Sequence, residues 1–172
     1  MRSGSAVGPA AVVMLLGLWL SAEGLSPHWF QSETYWPLLI AGAGACFVLG
    51  SLCGGGPWQL FLGLLAAGNG LVLFAFPSGL FGWHLLPQLW PLFLVVTGIA
   101  ALAHLVASRD APWPLLVPAV GALLSGASGL LYGLGMVTLD PIGQLRVLWP
   151  ILLVLTGFLG MLQALWYGVI ER

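Results

Sequence analysis

The sequence predicts an all-α membrane protein of six transmembrane helices, arranged as three tandem helical hairpins in a single transmembrane domain, 1–172. Three observations carry that expectation. Charges are too scarce to hold a surface in water. Six apolar stretches are each long enough to cross a bilayer. A ten-residue phrase that opens with Trp-Pro is written twice, as LWPLFLVVTG (89–98) and LWPILLVLTG (148–157), with a looser copy, YWPLLIAGAG, at 35–44.

Of 172 residues, 60% are hydrophobic and 5% are charged, against roughly 25% charged in soluble domains. The charged side chains are four Arg, no Lys and five acids, Glu23, Glu33, Asp110, Asp140 and Glu171. So few charges would leave large apolar patches that associate in water, and lipid is the alternative solvent. The 25 Gly fit the same solvent, because Gly is commoner in membrane helices than in soluble ones. A net charge of −1 and the lack of a basic patch argue against nucleic acid as a partner. Cys46 and Cys53 sit seven residues apart in one apolar run, about 10.5 Å of helical rise. That is too far for a mutual disulfide, and both read as small residues in a packed helix.

A spanning helix needs about 20 predominantly apolar residues. The candidate spans are 6–22, 37–53, 57–76, 90–107, 113–136 and 149–169. Short connectors, CGGGPW and SRDAPWP, alternate with the longer EGLSPHWFQSETY, PSGLFGWHLLPQL and TLDPIGQLRVL. Trp36, Trp90 and Trp149 lie 54 and 59 residues apart, and a Gly-Leu pair precedes each at Gly17-Leu18, Gly70-Leu71 and Gly129-Leu130. A period above 50 residues marks a repeat architecture. The expected units are about 1–54, 55–109 and 110–172. Arg2, the first apolar stretch and LSAEG also fit a cleaved signal peptide; the place of that stretch in the repeat favours a retained span.

Within each phrase the residue types have separate duties. Pro37, Pro91 and Pro150 have no N–H to donate and a φ that is already helical, which suits the first turn of a helix. Trp36, Trp90 and Trp149 prefer the membrane–water interface. Gly44, Gly98 and Gly157 follow about 12 Å deeper, where a missing side chain admits a neighbour. Rows of small residues four apart extend the packing signal: Gly121, Ser125, Gly129 and Gly133; Thr156, Gly160, Ala164 and Gly168; Gly42, Cys46 and Gly50. Two aromatic belts are expected, Trp36, Trp83, Trp90 and Trp149 on the long-connector side and Trp58, Trp113 and Trp166 on the other. Trp29, Phe30, Phe81, Leu85 and Leu86 suggest that the long connectors lie in the interface as short helices.

Polar residues at depth are candidates for function: Asn69, His104, Gln163 and Gln59. Ser128 holds the repeat position of Asn69. His104 and Gln163 each lie fourteen residues after their Trp, where the first unit has Gly50. Asn69 reads as an interhelical hydrogen-bonding group, and His104 as a packed or interfacial residue. No acid falls within a span, and no Walker loop, zinc-ligand helix or nucleophile–base pairing is present. His28, near Glu23 and Glu33, matches no recognised metal-site spacing. The sequence therefore implies no enzyme, no cofactor and no metal.

The phrases WPLLIAGAG, WPLFLVVTG and WPILLVLTG resemble the transmembrane region of the LiaI/LiaF type, found in small bacterial membrane proteins. The resemblance covers all three units. It implies Trp-Pro hairpins in a bacterial plasma membrane and, by analogy with LiaF-type regulators of a cell-envelope stress kinase, an envelope-related role. Those regulators add a soluble C-terminal domain, of which these 172 residues contain no counterpart. The leading functional expectation is an accessory or structural subunit that packs, within the lipid bilayer, with another membrane protein or with itself. The alternatives are a small carrier or channel with Asn69, Ser128 and His104 near its path, and a subunit of a cofactor-bearing complex with His104 as an axial ligand.

With six spans, one side of the membrane holds Arg2, Arg109 and Arg172, and the other holds Arg146 with Glu23, Glu33 and Asp140. The positive-inside rule puts both termini in the cytoplasm. A reporter enzyme active only outside the cytoplasm, fused after Arg172, should stay silent; strong activity would reverse the topology.

Overall fold

The computed structural model describes residues 6–25, 32–108 and 113–136, together with the helical positions Val154, Phe158 and Met161. Among these residues every regular element is helical. In order they are α1 (Val7–Leu25), α2 (Ser32–Leu52), α3 (Pro57–Phe74), a 3-10 turn at Trp83–Leu85 leading into α4 (Leu86–Leu89), α5 (Pro91–Ala107), and a 3-10 turn at Trp113–Leu115 leading into α6 (Leu116–Gly133). The chain divides into two compact units, 1–87 and 88–172. In the first, α1 and α3 both pack on α2; in the second, α5 packs on α6.

Three helical stretches are long and apolar enough to cross a membrane: Thr34–Leu52, Pro57–Phe74 and Leu116–Gly133. A fourth results if Trp83–Leu89 and Pro91–Ala107, which meet at a 53° bend, form one span. The apolar part of α1, Val7–Ala22, is shorter. The expected span 149–169 lies outside the described residues, apart from three positions. Three to four spans are thus evident by length, against the six expected.

Glycine and proline set the ends of these helices. After α2, Gly54 takes φ +95°, a left-handed value that costs glycine nothing. The amide of Gly55 then bonds to the Gly50 carbonyl at 2.9 Å, and that of Gly54 to the Ser51 carbonyl at 3.2 Å. This is the Schellman stop. Gly56 is extended and Pro57 starts α3, where its missing N–H is harmless. The same stop ends α6: Gly135 has φ +72°, and Met136 and Gly135 donate to the carbonyls of Leu131 and Tyr132, both at 2.9 Å.

Trp-Pro does not open a helix in the first copy. α2 begins at Ser32, and Pro37 lies inside it. In the second copy Pro91 does stand in the first turn of α5, but helical residues precede it across the bend. Trp90 stays in the right-handed helical region, at φ −54° and ψ −28°, although a following proline disfavours that region. Pro lacks one hydrogen bond and crowds the turn behind it. A continuous helix tolerates this in α2, whereas the chain bends at Trp90.

Both prolines are fully buried side chains, because they form the packing seams. In the first unit the seam residues of α2 are Pro37, Ala41, Gly44 and Val48, and those of α3 are Gly63, Ala67 and Gly70. A Cβ on Gly70 would stand 2.5 Å from the Ala41 amide nitrogen and 2.9 Å from the Pro37 carbonyl oxygen. One on Gly44 would strike the Ala67 amide and stand 2.6 Å from the Gly63 carbonyl oxygen. In the second unit a Cβ on Gly126 would stand 2.8 Å from the Val95 amide and 2.9 Å from the Pro91 oxygen, and one on Gly98 2.9 Å from both the Ala119 oxygen and the Leu123 amide. The two seams share one register. Pro37, Ala41 and Gly44 become Pro91, Val95 and Gly98, and Gly63, Ala67 and Gly70 become Ala119, Leu123 and Gly126.

α1 packs on another face of α2. Gly8 is buried beside Phe47, a Cβ on Gly50 would stand 2.7 Å from the Gly8 amide, and one on Gly42 would stand 2.8 Å from Leu15 Cδ1. The row Gly42, Cys46 and Gly50 therefore lies toward α1. Both cysteines are free thiols.

The seam glycines meet backbone, which cannot swing aside. Gly70→Leu and Gly126→Leu should each destabilise the protein by about 1–3 kcal/mol through overpacking, read as a lower thermal midpoint in detergent. Gly24→Ala, where nothing lies within 4 Å, should not lower it, since Ala favours helix over Gly. Equal midpoints for all three variants would refute the seams.

Candidate functional site

The chemistry available to this chain lies at a few polar positions, each placed by a helix seam. Asn69 is on α3, one residue before the seam glycine Gly70 and so about 100° around the helix from it. Its Oδ1 is buried without a hydrogen-bond partner among the described residues. Leaving a buried amide oxygen unmatched costs about 1–3 kcal/mol, so the group marks a position where the fold accepts a penalty. In the shared register Asn69 corresponds to Ser125, where the Gly-Leu marks had pointed to Ser128. The Ser128 hydroxyl donates to the Ser125 carbonyl at 3.1 Å, and both serines are half-buried.

Gln59 sits in the first turn of α3, opposite the glycine stop of α2. Its buried Oε1 lies where side chains on Gly50 and Gly55 would go; a Cβ on Gly50 would stand 3.0 Å from it. The two glycines thus make room for the Gln59 amide.

His104 is half-buried in the last turn of α5, and its backbone carbonyl accepts from the Ser108 amide at 2.9 Å. Its repeat counterpart in α2, Gly50, meets the Gly8 backbone of α1. The position is therefore one where the first Trp-Pro helix receives another helix. Gln163 lies outside the described residues, as do Trp149, Pro150, Thr156, Gly157, Gly160, Ala164 and Gly168.

Three further hydroxyls bond locally, whereas Ser108 Oγ, just past the end of α5, is buried without a hydrogen-bond partner among the described residues. Ser21, Ser78 and Thr97 donate to the carbonyls of Gly17, Ala75 and Phe93 at 2.8, 3.2 and 2.7 Å. Each carbonyl lies three or four residues back on the chain, the usual way a hydroxyl is satisfied in an apolar helix. Among the described residues no three His, Cys, Asp or Glu side chains come together to hold a metal ion.

Aromatic side chains collect at the ends of the first unit. Tyr35 stacks on Phe74 at 6.3 Å. Phe76, only 2% exposed, packs on Phe81 at 5.9 Å and on Trp83 at 5.3 Å. Trp58 stacks on Phe61 at 5.1 Å near the start of α3, about 24 Å along the helix from Phe74. Trp36, Trp58 and Trp83 all stay exposed. Part of the long connector is helical, as Trp83–Leu89.

Of the small residues expected to pack, Gly44, Gly98 and Gly129 are buried, the last against the Pro91 ring. Gly133 is half-buried against the Gln88 carbonyl, and Gly121 and Ser125 are half-buried. The sequence reading passed over Gly63, Ala67, Ala119 and Gly126. Alternating steps of three and four residues would have found them. A strict four-residue row drifts about 40° around the helix at each step, whereas alternating steps hold one face toward a partner.

No protein-family model matches this chain, and neither a curated protein nor a solved structure is significantly similar to it.

Replacing an unmatched buried amide by a hydrocarbon of similar size removes its desolvation cost. Asn69→Leu should therefore leave the thermal midpoint of the isolated chain unchanged or raise it. A large drop would show that the Asn69 oxygen is matched.

Proposed function

We propose that this chain is a six-span helical membrane protein, built of three tandem Trp-Pro hairpins with both termini in the cytoplasm. It acts as a non-enzymatic accessory or structural subunit that packs with itself or with another membrane protein. The observation that supports this best is the inversion of side-chain size. Gly, Ala and Pro predominate at the helix seams, while Val13, Met14, Leu18, Leu20, Leu49, Ile99 and Leu124 point outward. In water such a surface associates; in lipid it is the ordinary exterior of a helix, and tight packing falls to small residues.

Two further observations favour a packing role over chemistry. The hydroxyls of Ser21, Ser78, Thr97 and Ser128 are engaged with carbonyls of their own helices or turns. The polar groups at depth are an amide and an imidazole, and each lies beside a helix-packing position. The resemblance to LiaI/LiaF-type segments adds an expectation of bacterial plasma membrane and envelope-related work.

The deciding experiment is purification in a gentle detergent, with native mass measurement and identification of what copurifies. A stoichiometric membrane partner or a defined homo-oligomer is expected. A monomer that carries no partner but moves a solute in vesicles would overturn the reading. His104→Gln, which copies the residue of the last repeat, should leave metal content, visible absorbance and assembly as in the wild type. Loss of a bound metal or pigment with the fold intact would make the chain a cofactor-bearing subunit.

A further inference from the structure

Among the described residues Trp-Pro occurs twice in the same packing but in two different backbones. Pro37 and Pro91 are both fully buried. A Cβ on the facing glycine, Gly70 or Gly126, would stand 2.9 Å from the proline carbonyl oxygen in each case. Four helical residues precede each dipeptide, 32–35 in the first copy and α4 (Leu86–Leu89) in the second. Before Pro91 the helix is interrupted: α4 ends at Leu89, Trp90 caps α5, and the Phe93 amide bonds to the Trp90 carbonyl at 3.1 Å. Before Pro37 the helix runs on without a break. The seam therefore begins at the proline, and the turn before it can be joined or broken while the seam stays closed.

The turn before Pro37 is a weak joint. Pro37 gives no amide to the carbonyl four residues back, and it biases Trp36 away from helical geometry. Trp36 is exposed, and the ring of Tyr35 latches the turn to Phe74 on α3. A break at Trp36 would free the amides of Leu38 and Leu39, in the turn against which Gly70 packs. Asn69, the residue next to Gly70, holds a buried Oδ1 that lacks a donor among the described residues.

The two forms differ in length. Continuous α2 has 21 residues, about 31 Å, whereas the stretch from Pro37 to Leu52 covers about 24 Å. α5, already interrupted, has 17 residues, about 25 Å. The hydrocarbon core of a typical bilayer is about 30 Å thick. The continuous helix thus fits an ordinary bilayer. The broken one fits a thin bilayer, with Trp36 at its start in the interface that Trp prefers.

We propose that the Trp36–Pro37 joint is a hinge that responds to bilayer thickness. α2 is continuous in a thick bilayer and breaks before Pro37 in a thin one, as the second copy breaks before Pro91. A span longer than its bilayer tilts or kinks, and a joint that already lacks a hydrogen bond favours the kink. The inference rests on the reading of α2 as a membrane span and gives the proposed subunit a regulatory input.

Amide hydrogen exchange in vesicles tests the hinge. The chain is reconstituted in thin dimyristoleoyl-phosphatidylcholine and in thick dierucoyl-phosphatidylcholine bilayers. Leu38 and Leu39 should exchange about tenfold or more faster in the thin one, while the seam amides of Ala41 and Gly44 stay protected in both. Fluorotyrosine at position 35, assigned by its loss in Tyr35→Phe, should show the stack on Phe74 released in the thin bilayer. Pro37→Ala restores the missing amide and should keep Leu38 and Leu39 protected in both bilayers. Equal exchange at Leu38 and Leu39 in the two bilayers, with Ala41 and Gly44 protected, overturns the hinge while the span stands. A thickness response that persists in Pro37→Ala also overturns it, because fraying of the helix end then carries the effect. Rapid exchange throughout 41–52 in both bilayers defeats the span reading itself.

Discussion

The structure depends on how closely two helix backbones approach at the Pro–Gly seams. Where Gly44 faces Ala67 and Gly98 faces Leu123, a single added carbon would collide with main chain. Dispersion between atoms is weak for each pair and large in sum, and it grows as the axes close. In lipid, where tails are as apolar as Leu, this packing replaces the hydrophobic effect as the force between helices. Proline serves the same end. The Pro37 and Pro91 rings are compact, fully buried, and bring no N–H into the contact.

From that constraint follows the allocation of side chains. Seams built mostly of Gly, Ala and Pro take in few large residues, Val48, Val95 and Leu123 among them, so many Leu, Val and Met side chains turn outward. The fully or nearly buried apolar residues, Ala41, Phe76, Ala100 and Ala119, are mostly alanines. The exception, Phe76, lies beyond the end of α3 in the Phe76–Phe81–Trp83 cluster, where the connector folds back on itself. Polar groups then sit beside the seam, as with Asn69, or against glycines that yield space, as with Gln59. A helix so built has little room for an active site in its interior and wide outer faces for partners, which is the physical basis of the proposed subunit role.

The bend at Trp90 shows one dipeptide with two outcomes. Trp-Pro is continuous helix at Pro37 and a 53° change of direction at Pro91. Proline only removes a donor and crowds one turn. Neighbouring contacts decide whether the helix runs through or breaks. Upstream of Pro37 the aromatic stack of Tyr35 on Phe74 holds the preceding turn against α3. Upstream of Pro91 the 3-10 turn at Trp83 is held instead by Phe76.

The sequence by itself determined the helical class and the positions of most helix ends, and it singled out some of the glycines that stand at the seams. Composition argues against a water-facing surface, Gly54 and Pro57 punctuate the chain through their own backbone preferences, and Gly44 and Gly98 stand out because their phrase recurs. These are local or compositional properties, legible without knowing a partner. Only the tertiary structure decided which small residues meet. Gly126, and not Gly129, answers Gly70, because helices mesh by alternating steps of three and four and the correct phase depends on the facing helix. It also decided that α2 begins before its Trp-Pro, since the turn that stacks Tyr35 on Phe74 extends the helix past the point where proline alone would start it.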